Sequence, residues 1–417
     1  MEIVTSKDIC ILCREVLRLI DKRVIDHGSR TAYIMYRMLQ CSEKYEDFEL
    51  AEFALFSMIH DIGAYKVEKT SEILKFDVTE TLPHSIYGSL FMKYVSPMEP
   101  LSKILMYHHV DYSKLADVNY EHKDVANFLN FASFLDIYNH SMGDRFDYNR
   151  MRSYLGKKFS SRCFELFDLA EARYDIFSHL KTEEWRDELD SFYDDIMFSD
   201  EEKDKFIDML MYISGFRVEY NVVDTVTTTC VATEIANRLG SLSTEEYSAL
   251  YYASLLHDVG MLTVPLEIID APRKLTPEEF NTIRQHVSVT ETLLRGRVHD
   301  NVTNIAVSHH ERCDGSGYPK KISNVEMNMP MMILQVADTV TGLTCIRKFR
   351  EPKSKDAVIS ILTDEVNHNR YHHGVVMAFI NNYDSIMEIV QKRSNEVMGN
   401  WKKLNSQYEV VKKSLVK

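Results

Sequence analysis

Hydrophobic residues recur at helical spacing along most of the chain, whereas the alternation typical of strands is scarce. Two stretches are closely similar: residues 51–63, AEFALFSMIHDIG, and residues 247–260, YSALYYASLLHDVG, carry apolar residues at i, i+3, i+4 and i+7. Each stretch ends in a His-Asp pair that is followed, one residue later, by glycine. The pattern predicts two buried helices that stop at the same motif, in an all-α chain.

Other segments are amphipathic and have acidic first turns, such as residues 181–198 and 276–295. The length of the chain indicates more than one domain. We predict two tandem helical bundles, each built around one of the two repeated His-Asp (HD) pairs, joined by a charged helical connector. The predicted ranges are 1–145 for the first bundle, 146–215 for the connector, 216–390 for the second bundle and 391–417 for a basic C-terminal helix.

An ordered set of His and Asp residues recurs in the two halves. The HD pair is 24 residues from the next His in the first half and 29 in the second. That His is 24 and 23 residues from an HH pair, whose second His is 27 and 28 residues from a final Asp. His27 and Asp224 both lie 33 residues before the HD pair, so the spacing predicts a duplication. The full set is His27, His60, Asp61, His84, His108, His109 and Asp136, then Asp224, His257, Asp258, His286, His309, His310 and Asp338.

These residue types predict metal sites. Burying an Asp beside a His in a helical core is costly unless a cation compensates. Imidazole with carboxylate suits iron, manganese, zinc or nickel, and the set is larger than one ion requires. We therefore predict a two-metal site whose HD aspartate bridges the ions, an arrangement that hydrolyses phosphoesters. Hydrogen-bonded core histidines would explain single members, but not the whole set twice.

Composition and charge narrow the class of ligand. The net charge of −14 argues against binding to long nucleic acid, although metal ions could still attract a small phosphate compound. Seven scattered cysteines, a mixed N-terminal sequence and the lack of a long apolar run predict a reduced, cytoplasmic chain without a signal peptide or a membrane span. Whether the chain forms a homodimer stays open.

The second half resembles the HD-GYP family of metal phosphohydrolases. HHERCDGSGYP at 309–319 matches the signature almost letter for letter, and LLHDVG, KLTPEEF at 274–280 and VAD at 336–338 continue it in order. The similarity is strong over residues 220–345. The first half, with HDIGAYK, HSIYGSLFMKYVSP and YHH, is similar to the N-terminal half of tandem HD proteins.

The resemblance implies a helical phosphodiesterase with a binuclear iron or manganese site in each HD domain. It further implies hydrolysis of a cyclic dinucleotide by a metal-bound hydroxide, with cyclic di-GMP favoured and cyclic GMP-AMP as an alternative. Glycines of the loop allow a tight turn, and Glu311 and Arg312 are expected at the mouth of the site, where Arg312 would meet a phosphate or pair with a carboxylate. The expected catalytic residues are Asp258, Glu311, Arg312 and Tyr318, and the expected substrate-binding residues are Arg312, Gly315, Gly317, Tyr318 and Pro319.

Three departures separate the halves from the family pattern. The Lys that usually follows HD-x-Gly is replaced by Met261 and by Ala64. Asp224 replaces the first His of the second half, and the first half lacks both the Glu and the GYP loop after its HH pair. We therefore expect hydrolysis in the second half. The alternatives are a receptor that binds the nucleotide without cutting it, and a first half that hydrolyses another phosphoester or is a metal-stabilised regulatory module.

Overall fold

The computed structural model describes residues 3–67, 82–115, 117–216, 220–346 and 351–415. Within these ranges the chain forms α-helices and short 3₁₀ helices, together with isolated bridges but no strand. The all-α prediction is confirmed. Among the described helices, none combines the length and the apolar character that crossing a membrane requires.

The chain divides into two compact units. Ile9–Phe206 and Lys402–Lys417 form the N-terminal unit, and Met1–Asp8 and Ile207–Trp401 form the C-terminal unit. The segment predicted as a connector is therefore divided between the units. Residues 146–206 belong to the N-terminal unit, and residues 207–215 belong to the C-terminal unit. The predicted domain boundaries and the tandem arrangement of two HD domains stay predictions.

The helices of the first 200 residues, and the turns that follow two of them, contain the first set of His and Asp residues. Helix α2 packs against α3 and α8, and α5 packs against α4 and α6. The bounds are α1 Ser6–Ile20, α2 Lys22–Gln40, α3 Asp47–Met58, α4 Ala64–Val67, α5 Leu82–Val95, α6 Ser102–Tyr107, α7 Tyr112–Leu115, α8 Lys123–Met142, α9 Ser161–Tyr174, α10 Ile176–Thr182 and α11 Trp185–Phe192.

The remaining helices repeat this order around the second set. Helix α13 packs against α14 and α18, as α2 packs against α3 and α8. The bounds are α12 Asp200–Ser214, α13 Tyr220–Leu239, α14 Thr244–Leu256, α15 Leu266–Ile269, α16 Pro277–Leu294, α17 Asp300–Ala306, α18 Met329–Thr344, α19 Lys355–Asn367, α20 His373–Ile380 and α21 Tyr383–Leu415. The last helix begins ahead of the predicted start at residue 391.

Capping fixes where two of the site-bearing helices begin. Ser243 and Glu246 form a capping box at the start of α14, and Thr276 and Glu279 form another at the start of α16. Each box satisfies backbone N–H groups that a helix start leaves without partners. The HD pair directly follows the end of α14, and His286 lies on α16.

The glycine of HD-x-Gly has the same structural reason in both units. A Cβ atom on Gly63 would lie 2.2 Å from the carbonyl oxygen of His84, and one on Gly260 would lie 2.1 Å from that of His286. No side chain fits such a gap, so glycine allows the HD turn to pack directly against the helix of the lone His. The repeated motif thus brings its His and Asp residues together.

Candidate metal centres

In the N-terminal unit, the carboxylate of Asp61 lies between two groups of imidazoles. Its Oδ2 is 3.3 Å from Nε2 of His60 and 3.8 Å from Nε2 of His27. Its Oδ1 is 3.6 Å from Nε2 of His84 and 3.7 Å from Nε2 of His108. With His109, these residues form two groups of potential ligands that share Asp61. The arrangement has the form of a binuclear site with a bridging aspartate.

Backbone carbonyls fix the orientation of the imidazoles. Nδ1–H of His60 donates to the carbonyl of Ser57 at 2.8 Å, and Nδ1–H of His257 donates to that of Ser254 at 2.8 Å. In a neutral ring this leaves the Nε2 lone pair for a metal ion. The same bond joins His108 to Leu105, His286 to Ile283 and His309 to Ala306.

The N-terminal residues fit divalent cations. Nε2 of His60, Nε2 of His108 and Oδ1 of Asp61 are buried without a hydrogen-bond partner, which is costly unless a cation binds them. Burial lowers the pKa of His60 to about 3, so the ring is neutral as a ligand must be. Burial raises the pKa of Asp61, but the surrounding imidazoles, His60 first, outweigh it and hold the pKa well below its usual range.

Asp136, a predicted ligand, lies outside both groups. Its Oδ1 accepts a hydrogen bond from Nε of Arg30 at 2.6 Å, and its Oδ2 lies 2.7 Å from Nδ1 of His27. Burial raises the pKa of Asp136, but Arg30 and His27 outweigh burial and lower the pKa to about 2. Sequence reasoning missed Arg30. The signal was its place three residues after His27, on one helix face, where the second half has Thr227.

The C-terminal unit repeats the arrangement around Asp258. Its Oδ1 lies 3.2 Å from Nε2 of His286 and 3.6 Å from Nε2 of His309, while its Oδ2 lies 3.4 Å from Nε2 of His257. Here the final carboxylate joins the site, because Asp338 lies 3.9 Å from His257 and 3.5 Å from Nδ1 of His310. The potential ligands form two groups, His257 with Asp258 and Asp338, and His286 with His309 and His310.

The two sites differ in access to solvent. Side-chain exposure is 39% for Asp258, 28% for His310 and 21% for Asp338. In the N-terminal unit it is 5% for Asp61 and 0% for His60. Closed sites are typical of structural metal ions, and catalytic sites keep an open position. The C-terminal site therefore has the access that a substrate needs.

Asp224 and Met261 line a cavity beside the C-terminal site. The cavity has a volume of about 230 Å³, and Asp258 contributes to the same wall. Asp224 is outside the groups of potential ligands, so its role as a ligand stays a prediction. Most of the remaining lining is apolar. Met261 adds another uncharged side chain at the position where the family pattern has a lysine. The apolar part of the lining includes Leu255, Leu256, Val259, Leu262, Ile269 and Ile283.

The GYP loop is folded against the HH pair by Glu311. This side chain is buried, and its Oε1 accepts hydrogen bonds from the backbone N–H groups of Lys320 at 2.6 Å and Lys321 at 3.1 Å. A Cβ atom on Gly317 would lie 2.5 Å from the backbone N of Arg312, so only glycine fits there. Glu311 therefore organises the loop instead of lying at the mouth of the site, where we expected it.

The remaining loop residues divide between the site and the protein body. Nη1 of Arg312 donates to Glu365 at 3.1 Å, so the expected carboxylate partner is present. The ring of Tyr318 lies 4.7 Å from the ring of His310. The guanidinium carbon of Arg284 lies 4.2 Å from the centre of the Tyr318 ring. Gly315 takes a positive φ of 75°, and the Tyr318–Pro319 peptide bond is cis. Sequence reasoning missed Arg284, although it lies two residues before His286.

Comparisons with known proteins agree with this architecture. Residues 213–375 match the family model described as HD domain. A Vibrio cholerae protein named 3′3′-cGAMP-specific phosphodiesterase 1 is 26% identical over 384 residues, 86% of this chain and 87% of that protein. A Thermotoga maritima protein named cyclic di-GMP phosphodiesterase is 27% identical over 208 residues, 49% of this chain and 54% of that protein. The chain thus matches about half the length of the second relative.

A solved structure extends the likeness to the fold. The crystal structure of a cyclic GMP-AMP specific phosphodiesterase of V. cholerae has a TM-score of 0.58 to this chain. The match covers 91% of this chain and 98% of that one at 15% sequence identity. At this level of identity, the likeness concerns the fold.

Proposed function

We propose that this chain, whose residues 213–375 match the HD-domain model and whose loop resembles the HD-GYP signature, is a metal-dependent phosphodiesterase that hydrolyses a cyclic dinucleotide in its C-terminal unit. The observation that carries the proposal is the solvent access of Asp258, Asp338 and His310, next to a loop that the N-terminal unit lacks. An open cluster of ligands beside a substrate loop is what a hydrolytic metal site requires.

The proposed ligands of the C-terminal unit are two groups that meet at Asp258. When bound, a pair of divalent ions supplies an activated water and neutralises charge on phosphoryl oxygens. Iron or manganese is our proposal, since imidazole with carboxylate suits both. The ligands in the two groups are His257, Asp258, His286, His309, His310 and Asp338, and we propose Asp224, which lines the adjoining cavity, as a further ligand.

The chain's own residues prepare the site for an anionic substrate that carries planar nucleobases. Burial raises the pKa of Asp258, but His257 and His286 outweigh it and hold the pKa well below its usual range, so the carboxylate is ionised. Glu311 fixes the loop, and the loop sets the ring of Tyr318 against His310. A half-buried aromatic ring beside the ligands offers a stacking surface for a nucleobase or sugar.

For the N-terminal unit we propose a metal-stabilised module without a substrate of its own. Its potential ligands are the buried set around Asp61, and Arg30 neutralises Asp136. Metal binding by such a closed site contributes to folding free energy. The proposed ligands are His27, His60, Asp61, His84, His108 and His109, and Asp136, paired with Arg30, fixes the orientation of His27.

Met261 favours a second candidate function, a receptor that binds the dinucleotide without hydrolysing it. A lysine in its place would bring a positive charge to the cavity that Asp258 lines, and Met261 brings none. Tight binding with no product, together with turnover in Met261→Lys, would support the receptor.

The test uses the full chain loaded with Mn²⁺ or Fe²⁺ and a panel of cyclic di-GMP, 3′3′-cGAMP and cyclic di-AMP. We expect linear products from a guanine-containing substrate, and a loss of about 10³-fold in Asp258→Asn. The matched control is Asp300→Asn, because Asp300 belongs to another His-Asp pair and its side chain is 75% exposed. Retention of turnover in Asp258→Asn, with loss in Asp61→Asn, would move the activity to the N-terminal unit.

A further inference from the structure

Arg284 belongs to a row of stacked side chains that ends at the C-terminal metal ligands. Its guanidinium carbon lies 4.2 Å from the centre of the Tyr318 ring and 5.8 Å from that of Phe280. The Tyr318 ring in turn lies 4.7 Å from the ring of His310, at an angle of 34°. Guanidinium, phenol ring and ligand imidazole are therefore consecutive neighbours.

The charge of Arg284 is available to a ligand. Among the described residues, no carboxylate forms an ion pair with it, whereas Arg312 pairs with Glu365 at 3.1 Å and Lys320 with Glu291 at 3.2 Å. Stacking on an aromatic face orients a guanidinium without using its N–H groups. Those donors match two oxygens of a phosphate.

The Tyr318 ring connects Arg284 to the cluster of ligands. The guanidinium lies against this ring, and the ring lies against His310, whose Nδ1 is 3.5 Å from Oδ2 of Asp338. Only one aromatic side chain therefore separates the cation from the ligand imidazole.

A cyclic dinucleotide carries two negatively charged phosphodiesters, so its site needs positive charge besides the metal ions. Met261 lines the cavity next to Asp258 without supplying any. Arg284 comes from α16, the same helix as the ligand His286, which keeps the guanidinium at a set position relative to the site.

We propose that Arg284, stacked on Tyr318, binds a non-bridging phosphate oxygen of the substrate and supplies the charge that Met261 does not. The assignment rests on the proposed function and adds a substrate-binding residue to it. A bidentate guanidinium contact at this point positions the phosphodiester beside the two groups of ligands.

The first test is Arg284→Met in the full, metal-loaded chain. Methionine keeps an apolar contact with the Tyr318 ring and removes only the charge. We expect KM to rise about 10-fold or more while kcat changes less than about threefold, since the lost contact binds substrate before and during reaction. Added salt should raise the KM of the wild type more than that of the variant.

Arg273→Met is the matched control, because Arg273 precedes α16 and is an exposed arginine paired with Glu279 of that helix. We expect its KM to be unchanged. Introducing Met261→Lys into Arg284→Met should lower KM again, because it restores a cation in the cavity that Asp258 lines. A double variant no better than Arg284→Met would contradict the charge argument.

The outcomes separate this assignment from the proposed function. Wild-type turnover with an unchanged KM in Arg284→Met would overturn the assignment alone, as would a loss confined to kcat. A wild type that neither cleaves nor binds any dinucleotide of the panel would overturn both. If the wild type binds without turnover, the Kd for cyclic di-GMP from equilibrium dialysis takes the place of KM, with the same expected change.

Discussion

The two units have corresponding helices and the same order of potential ligands, yet they differ in the partners of the final aspartate. In the N-terminal unit Asp136 is held by Arg30 and by Nδ1 of His27. In the C-terminal unit Asp338 faces His257 and His310. The helix position of Arg30 corresponds to Thr227, whose hydroxyl donates to the carbonyl of Val223. Two replacements on one helix, of Arg30 by Thr227 and of His27 by Asp224, therefore accompany the change in the partners of the aspartate.

Access to solvent is the second difference. Asp61 is 5% exposed, whereas Asp258 is 39% exposed and lies near the folded loop of Glu311 and Tyr318. A nearly identical ligand set thus occurs once in a closed core and once in an open site. The comparison teaches that ligand identity predicts metal binding, whereas access and neighbouring charge decide what the metal site can do.

The largest expected effect is on stability, and it separates the two aspartates. Asp61→Asn removes a buried charge that faces four imidazoles, and breaking such a set costs about 3–5 kcal/mol, or roughly 10 °C in unfolding midpoint. We expect Asp258→Asn to shift the midpoint by less than about half as much, because its carboxylate is partly hydrated. Thermal unfolding of the metal-loaded variants measures both. Equal shifts would contradict the structural role of the closed site.

Chelation tests access directly. EDTA should remove ions from the open C-terminal site first, so turnover should fall about 100-fold while about half of the metal stays bound. Elemental analysis and product formation, followed over the same time course, measure the two quantities. Loss of all the metal in one phase, in step with activity, would show that the sites do not differ in access.

The sequence predicted the all-α fold because two apolar helical stretches and their HD motifs recur. It also predicted that Asp61 and Asp258 would be central, since spacing brings the HD pair to the other histidines. Spacing could not predict the partner of Asp136, because that depends on the Arg30 side chain crossing to another helix. Sequence reasoning also placed Glu311 at the mouth of the site. The order of residues does not reveal that its carboxylate turns towards backbone N–H groups of the loop.

The next effect tests the ion pair of the N-terminal unit. The folded pKa of Asp136 is about 2, below its ordinary 3.8, so the pair stabilises the fold above pH 4 and the benefit is lost as pH falls towards 2. We expect the free energy of unfolding of Arg30→Met to be about 2 kcal/mol lower than that of the wild type near neutral pH. Near pH 2 this difference should disappear. Unfolding of chelated protein as a function of pH measures the difference.

The matched control for this pair is Arg152→Met. Arg152 and its partner Asp168 have side-chain exposures of 46% and 42%, and exposed pairs contribute little. If both variants lose the same free energy, or if the loss in Arg30→Met is independent of pH, then Arg30 does not act through Asp136.

The smallest effect concerns the loop that only the C-terminal unit has. Glu311→Ala leaves the backbone N–H groups of Lys320 and Lys321 without their acceptor, at a cost of about 1–2 kcal/mol. The Tyr318 surface should then be less well positioned, so we expect KM to rise several-fold. Glu311→Gln keeps an acceptor oxygen and should change KM little, as should Asp111→Ala after the N-terminal HH pair. If Gln were as damaging as Ala, the negative charge of Glu311, and not its hold on the loop, would be what the C-terminal site requires.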